Sequence, residues 1–218
     1  MYHFKYVTRK EAEPFRKEIE EIIHSAQDIL RGKFTFSYRF IGSSSRDMIT
    51  YDPKTNKGFD FDVDLCINDA EECFTAKEVR VKLKKAIEMA AIGKFFEPCR
   101  ESSRVFTLKK MSDFPDEWKP YSCDFAIVHN RKDKRGRKHK EFIHFRKNTG
   151  EYQWNEQQRG YDLEERVEWL RKNKLWNDVR ERYLDKKNNN IDLQKKSRAL
   201  YAETINEIYN REKVQKQR

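Results

Sequence analysis

From residue 10 to residue 31 apolar side chains recur every three or four positions, placing Phe15, Ile19, Ile22, Ile23, Ala26, Ile29 and Leu30 on one side of a helix. Gly32 supplies a stop. The period then switches to two. Phe34, Phe36, Tyr38 and Phe40 alternate with Thr35, Ser37 and Arg39, which predicts a strand running into Gly42-Ser43. Tyr51-Asp52-Pro53-Lys54-Thr55-Asn56-Lys57-Gly58 reads as a polar loop, and a second strand is expected over 59–67. Thr75-Ala76-Lys77-Glu78 has the form of a capping box and opens a helix with Val79, Leu83, Ala86, Ile87 and Ala90 on one face, ending near Gly93. Short β-type runs at 105–108, 121–128 and 141–145 extend the same sheet.

From Asp162 the pattern is helical again. Asp162-Leu163-Glu164-Glu165 forms the cap of a helix carrying Val167, Trp169, Leu170, Trp176, Val179 and Tyr183. A further helix covers about 192–212, with Lys186-Lys187-Asn188-Asn189-Asn190 as the break and a polar, fraying tail beyond Arg211. The expected architecture is α+β. A small mixed sheet with a helix on each side forms a core over 1–150, and a C-terminal helical pair over 151–218 packs on it.

The strand over 59–67 carries an unusual polar face. Asp60, Asp62 and Asp64 alternate with Phe59, Phe61, Val63 and Leu65, so three carboxylates share one side and advance by about 6–7 Å per pair of residues. Like charges stacked on a half-buried strand repel one another and resist desolvation. The pattern therefore implies a compensating cation. Asp62 and Asp64 stand close enough to hold a divalent ion between them, and magnesium, which takes oxygen ligands, is the expected guest.

A strand ending in Gly42-Ser43, a second strand with Phe61-Asp62-Val63-Asp64-Leu65 and a later one with Tyr121-Ser122-Cys123-Asp124-Phe125-Ala126-Ile127 together resemble the nucleotidyltransferase superfamily typified by DNA polymerase beta. The resemblance covers about residues 10–130. It implies that Gly42 and Ser43 hold nucleotide phosphates, with Ser44 and Arg46 as further nucleotide-binding candidates, and that Asp62, Asp64 and Asp124 are the catalytic carboxylates. It also implies two magnesium ions, with manganese as a substitute, and Asp124 as the general base or the carboxylate nearest the incoming hydroxyl. The implied reaction moves a nucleoside monophosphate from an NTP to a hydroxyl acceptor and releases pyrophosphate. An RNA end or a second nucleotide is the favoured acceptor. The alternatives are a toxin- or resistance-type enzyme that modifies a protein or small molecule, and a catalytically inactive nucleotide- or RNA-binding module.

The chain departs from the family pattern twice. Asp47 stands where many members have glycine, and the interval from Ser43 to the acidic pair is longer than usual, as an insertion around Pro53 and Asn56 would make it. The register of the pair is also open, because Asp60-Phe61-Asp62-Val63 resembles the motif in animal cyclic dinucleotide synthases. Asp62 and Asp64 are the expected pair, since Leu65-Cys66-Ile67 continues the buried strand.

Composition adds a weaker signal. Lys and Arg number 47 against 37 Asp and Glu, a net charge of +10 that favours polyanionic partners. The basic run Arg131-Lys132-Asp133-Lys134-Arg135-Gly136-Arg137-Lys138-His139-Lys140 either tracks a phosphate backbone or is a solvated hairpin tip. Arg46 and Lys109 either neutralise phosphate or face solvent. Trp154 is a candidate for stacking a base, whereas Trp169 and Trp176 have the spacing of helical core. The five histidines form no ligand pair. Cys66, Cys73, Cys99 and Cys123 show neither a CxxC pair nor zinc spacing, so reduced structural thiols are expected. With no apolar run of membrane-spanning length and no apolar leader, the expected compartment is cytoplasmic, without a membrane partner.

Overall fold

The computed structural model describes residues 2–54, 58–68, 73–110, 121–132, 136, 138–157, 163–192 and 194–215. In chain order its elements are β1 (Lys5–Tyr6), α1 (Arg9–Leu30), β2 (Thr35–Ile41), β3 (Thr50–Tyr51), β4 (Phe59–Asn68), α2 (Ala76–Ala90), β5 (Arg100–Glu101), β6 (Val105–Lys109), β7 (Tyr121–Lys132), β8 (Lys138–Arg146), β9 (Glu151–Glu156), α3 (Leu163–Lys172), α4 (Trp176–Asn188) and α5 (Ser197–Gln215). They divide into two compact units, one of residues 7–49 and 56–157, the other of residues 1–6, 50–55 and 158–218. Among the described residues no helix is long and apolar enough to cross a membrane.

The larger unit is a mixed sheet in the order β2-β4-β7-β6-β5, with β8 pairing β7 and β9 completing a hairpin on β8. Among the described residues only β4 and β7 run parallel; the other ladders are antiparallel. Alternation along these strands separates two faces. One presents Phe59, Phe61, Val63 and Leu65 beside Tyr121, Cys123, Phe125 and Ile127, all buried. Phe15 of α1 lies 5.4 Å from the Phe59 ring and 4.9 Å from Tyr121, while Arg80 of α2 lies 5.2 Å over Phe106, whose partner in the ladder is Phe125. Both helices therefore cover the same face. The expected helix on each side is corrected here: within this unit the face bearing the aspartates carries neither helix.

Local chemistry starts each helix. Thr8 and Glu11 form a capping box on α1, and Thr75 with Glu78 forms the expected one on α2; such caps contribute about 1 kcal/mol each. Within α2, Arg80 is fully buried, an unexpected place for a guanidinium. It is satisfied by Glu101 at 3.1 Å and by the carbonyls of Ser102 and Arg104 at 3.3 Å, and so pins α2 to the β5–β6 edge.

The smaller unit joins a two-residue β1–β3 ladder to α3, α4 and α5. Asn188 brackets Phe4, accepting from its N–H at 2.6 Å and donating to its carbonyl at 3.1 Å, and the Tyr6 hydroxyl donates to the Arg180 carbonyl at 2.6 Å. Asp52, fully buried, accepts from the backbone N–H groups of His3 and Lys54. Part of the long interval between Ser43 and the acidic strand is thus taken up by β3 and the turn at Pro53–Lys54. Among the described residues the C-terminal helices number three rather than two, because Lys174 takes a left-handed φ of 61° and breaks the first expected helix into α3 and α4.

Candidate active site

The β2–β4 ladder ends with Ile41 opposite Asp62, so the chain leaves β2 directly beside that carboxylate. Gly42 follows with φ of +66°, and a Cβ built there would fall 2.1 Å from Asp62 Oδ2 and 2.9 Å from its Cγ. Glycine is required for both reasons, backbone conformation and space. The turn is braced from within: the Ser44 hydroxyl donates to the Ile41 carbonyl at 2.8 Å, that of Ser45 to the Gly42 carbonyl at 3.0 Å, and Met48 N–H to the Ser43 carbonyl at 3.0 Å. Asp47, where the family pattern has glycine, adopts the left-handed region at φ 59°. Aspartate tolerates that conformation better than most side chains, and Arg9 grips it in a bidentate pair at 2.5 and 2.7 Å.

Parallel pairing of β4 with β7 places Asp62 level with Asp124 and Asp60 level with Ser122, on strands about 4.8 Å apart. Thr107, opposite Asp124 on β6, donates its hydroxyl to that carboxylate, and Ser122 donates to Asp60. Burial pushes the Asp62 carboxyl up to about 6, with the charges of Asp124, then Asp60, adding to it; Arg46 opposes the shift, and Asp64 contributes least. Burial also raises Asp124, against the Thr107 hydrogen bond that favours its ionised form, and Asp60 raises it further. Among the described residues, the carboxylates that raise Asp62 outnumber the one cation, Arg46, that opposes them.

Asp64 has other neighbours. Its side chain is only 2% exposed, Lys140 of β8 donates to it, and Arg39 of β2, its partner in the ladder, approaches to 3.5 Å. Of the residues expected from sequence, Gly42, Ser43, Ser44, Arg46, Asp62 and Asp124 belong to one locality at the start of β4, joined there by Asp60. Asp64 lies one side-chain step further along, inside its own ion pairs.

Among the described residues no three His, Cys, Asp or Glu side chains converge into a ready-made metal cage. Magnesium does not require one. It keeps several waters and is commonly bound by one or two carboxylates plus substrate phosphates, which fits an under-neutralised Asp62 beside Asp124.

The remaining candidates fall elsewhere. Lys109 pairs with Glu97 at 3.4 Å. Trp154 stands opposite Ile143 on β9, with its ring 5.9 Å from His129. Trp169 packs on Tyr209 at 5.1 Å and Trp176 lies under Arg171 at 4.0 Å, both within the helical unit. Of the basic connector, residues 133–135 and 137 lie outside the described residues. Arg131 pairs with Glu141 at 2.7 Å. The cysteines are free thiols, and burial raises Cys123 well above the usual range. Sequence reasoning missed Thr107, Ser122, Arg39 and Lys140. Each occupies the aspartate face by strand alternation, but the register that brings them to it is a long-range property.

No protein-family model and no curated protein matches the sequence. Solved structures do. A STING-associated CdnE c-di-GMP synthase from Capnocytophaga granulosa matches with a TM-score of 0.60 and 14% identity, over 93% of this chain and 61% of that one. The Rhodothermus marinus CdnE c-UMP-AMP synthase with Apcpp and Upnpp matches with a TM-score of 0.57 and 13% identity, over 93% and 72%. The Vibrio cholerae DncV cyclic AMP-GMP synthase in complex with nonhydrolyzable GTP matches with a TM-score of 0.56 and 10% identity, over 84% and 61%. The chain spans less than two thirds of the length of the first and third of these. What the likeness establishes is the fold: this chain has the α+β nucleotidyltransferase fold seen in these cyclic dinucleotide synthases.

Proposed function

We propose that the chain is a metal-dependent nucleotidyltransferase that moves a nucleoside monophosphate from an NTP to a hydroxyl acceptor, releasing pyrophosphate. The observation that carries the reading is the Asp62 carboxylate, lodged against the Cα of Gly42 and level with Asp124, where among the described residues carboxylates outnumber the opposing Arg46. Packing alone gives no reason to build that arrangement.

The same observation favours Asp60, Asp62 and Asp124 as the working carboxylates over Asp62, Asp64 and Asp124. Asp60 acts electrostatically on both Asp62 and Asp124, whereas Asp64 is held by Lys140 and Arg39. In the proposed step the acceptor oxygen attacks the α-phosphorus, the bond to the β-phosphate's bridging oxygen breaks, and pyrophosphate departs. Asp124, oriented by Thr107, takes the acceptor proton. The Gly42 turn lets backbone amides and the Ser43 hydroxyl approach the phosphates closely, and Arg46 adds positive charge on the Asp62 side. Asp60, Asp62 and Asp124 would hold magnesium or manganese, which in a two-ion site activates the attacking hydroxyl and stabilises the leaving oxygen. A second nucleotide is the favoured acceptor, because the solved structures of similar fold are named as cyclic dinucleotide synthases; an RNA end is the next.

The test incubates the purified chain with each α-labelled NTP and magnesium or manganese, with total RNA or with no added acceptor. A small labelled nucleotide product formed without RNA is expected. Label on RNA would move the acceptor to an RNA end. Absence of NTP consumption and of label transfer across a broad acceptor panel would overturn the transferase reading.

A further inference from the structure

Asp64 is the most deeply buried of the aspartates on β4 and lies outside the carboxylate set proposed above, so its two cationic partners call for a separate explanation. A buried carboxylate needs a partner, and one cation would neutralise it. Two are present, brought from opposite sides of β4. Arg39 arrives from β2 through the ladder position opposite Asp64. Lys140 arrives from β8, with its backbone fixed by pairing to Asn130 and by the Gln157 N–H on its carbonyl at 2.7 Å. The trio has a net positive charge. Arg39 is 69% exposed, and its 3.5 Å approach to Asp64, its one ion pair among the described residues, leaves most of the five donors of a guanidinium for another anion.

Position gives this pair a task. Along this face the order is the Gly42 turn, then Asp60 and Asp62 level with Ser122 and Asp124, then Asp64 with its cations. In an in-line displacement the attacking and leaving oxygens lie on opposite sides of the phosphorus. With the leaving pyrophosphate at the glycine turn, the attacking molecule comes from the Asp64 side. We propose that Arg39 and Lys140, held in place by Asp64, bind a phosphate group of the acceptor. Asp64 is then a positioning residue rather than a metal ligand. The inference rests on the transferase reading for the name of the ligand, while the anion site can be tested without turnover.

The experiment titrates the full chain, in metal-free buffer, with a nucleoside, its 5′-phosphate and a dinucleoside monophosphate. The 5′-phosphate is expected to bind about tenfold tighter than the nucleoside, an advantage that shrinks as salt is raised. The advantage disappears in Arg39→Ala and in the double variant Asp64→Asn with Lys140→Met, which leaves no unpaired buried charge, and it survives in Lys140→Arg. Tighter binding of the dinucleoside monophosphate than of the 5′-phosphate identifies an RNA end as the source of the phosphate; the reverse identifies a free nucleotide. In turnover, Arg39→Ala raises the acceptor KM about tenfold with kcat and the donor KM nearly unchanged. An equal affinity for nucleoside and 5′-phosphate in the unaltered chain, or an advantage that persists in both variants, overturns the proposal. So does loss of transfer in Asp64→Asn with the phosphate advantage intact, which would return Asp64 to the metal set. A chain that shows the phosphate advantage but consumes no NTP supports the anion site and sinks the transferase reading, so the two fail separately.

Discussion

Asp62 and Asp64 stand two residues apart on one face of β4, and their surroundings are opposite. Around Asp62 the neighbours are Asp124, Asp60 and a glycine turn, and its carboxyl is pushed up to about 6. Asp64 is more deeply buried, yet Lys140 and Arg39 balance it. Burial alone therefore does not mark a functional carboxylate. What distinguishes the two is whether the described neighbourhood supplies enough countercharge. Where it does, the aspartate orients its partners; where it does not, the site is left fit for a cation brought from outside.

The largest contrast should appear in turnover. Asp62→Asn and Asp124→Asn are each expected to lower label transfer on the order of a thousandfold, as loss of a central catalytic group does, with an unchanged circular dichroism spectrum. Asp64→Asn should keep kcat within about an order of magnitude of the unaltered chain, its loss falling on acceptor KM. Asp60→Asn ranks between them. Near-normal turnover in both Asp62→Asn and Asp124→Asn would remove the site assignment altogether, and an Asp64→Asn variant as inactive as Asp62→Asn would erase the distinction between the two aspartates.

Next in size is the effect of the turn. Gly42→Ala places a methyl group 2.1 Å from Asp62 Oδ2 on a backbone with φ of +66°. The carboxylate or the turn must move, and a displacement of about 1 Å at a reacting centre costs on the order of a hundredfold in kcat/KM. Stability should fall by about 1–3 kcal/mol from the backbone conformation. The same substitution at Gly32, where φ is +83° but an added Cβ meets nothing within 4 Å, gives the control: a stability loss without the loss of turnover.

Why the sequence reveals one half of this contrast and hides the other is a matter of range. Period-two alternation puts the aspartates on one face without reference to any other segment, and the Gly42-Ser43 turn, the Thr75 capping box and Asp124 are equally local patterns. Neutralisation of Asp64 depends on Lys140, 76 positions away in sequence, in a basic run that reads as well as solvent-facing. The choice between Asp60 and Asp64 accordingly stays open in the sequence. The same limit applies to the fold. Alternation shows that the two sheet faces differ, but not that α1 and α2 share one of them. Nor does the polar stretch after Ile49 announce that Thr50 and Tyr51 pair with Tyr6 and Lys5. The break at Lys174 rests on a left-handed residue of a type that carries no such preference, and β9 mixes charged, amide and aromatic residues without a clean period.

The smallest effect is the most discriminating, because one chemical change should act with opposite signs at two neighbouring positions. For Asp62 the folded-state value of about 6 lies above the ordinary carboxylate value of 3.8, so folding favours the protonated form. The stability this group contributes is complete below about pH 4 and is lost as pH rises through 6. Asp62→Asn removes that loss. In metal-free buffer at pH 8 the variant should be more stable than the unaltered chain by about 1–2 kcal/mol, less than the full linkage value because the site is partly solvated, and the difference should vanish near pH 4. Asp64→Asn instead leaves Lys140 and Arg39 without their carboxylate, and should lower stability at pH 8 by about 1–2 kcal/mol, moderated because Arg39 reaches solvent. Urea unfolding at pH 4, 6 and 8 in the presence of a chelator measures both. Equal signs at pH 8 would mean that the two aspartates share one electrostatic environment, whereas a stabilised Asp62→Asn that also turns over NTP no better than background identifies Asp62 as a carboxylate retained for function at the expense of the fold.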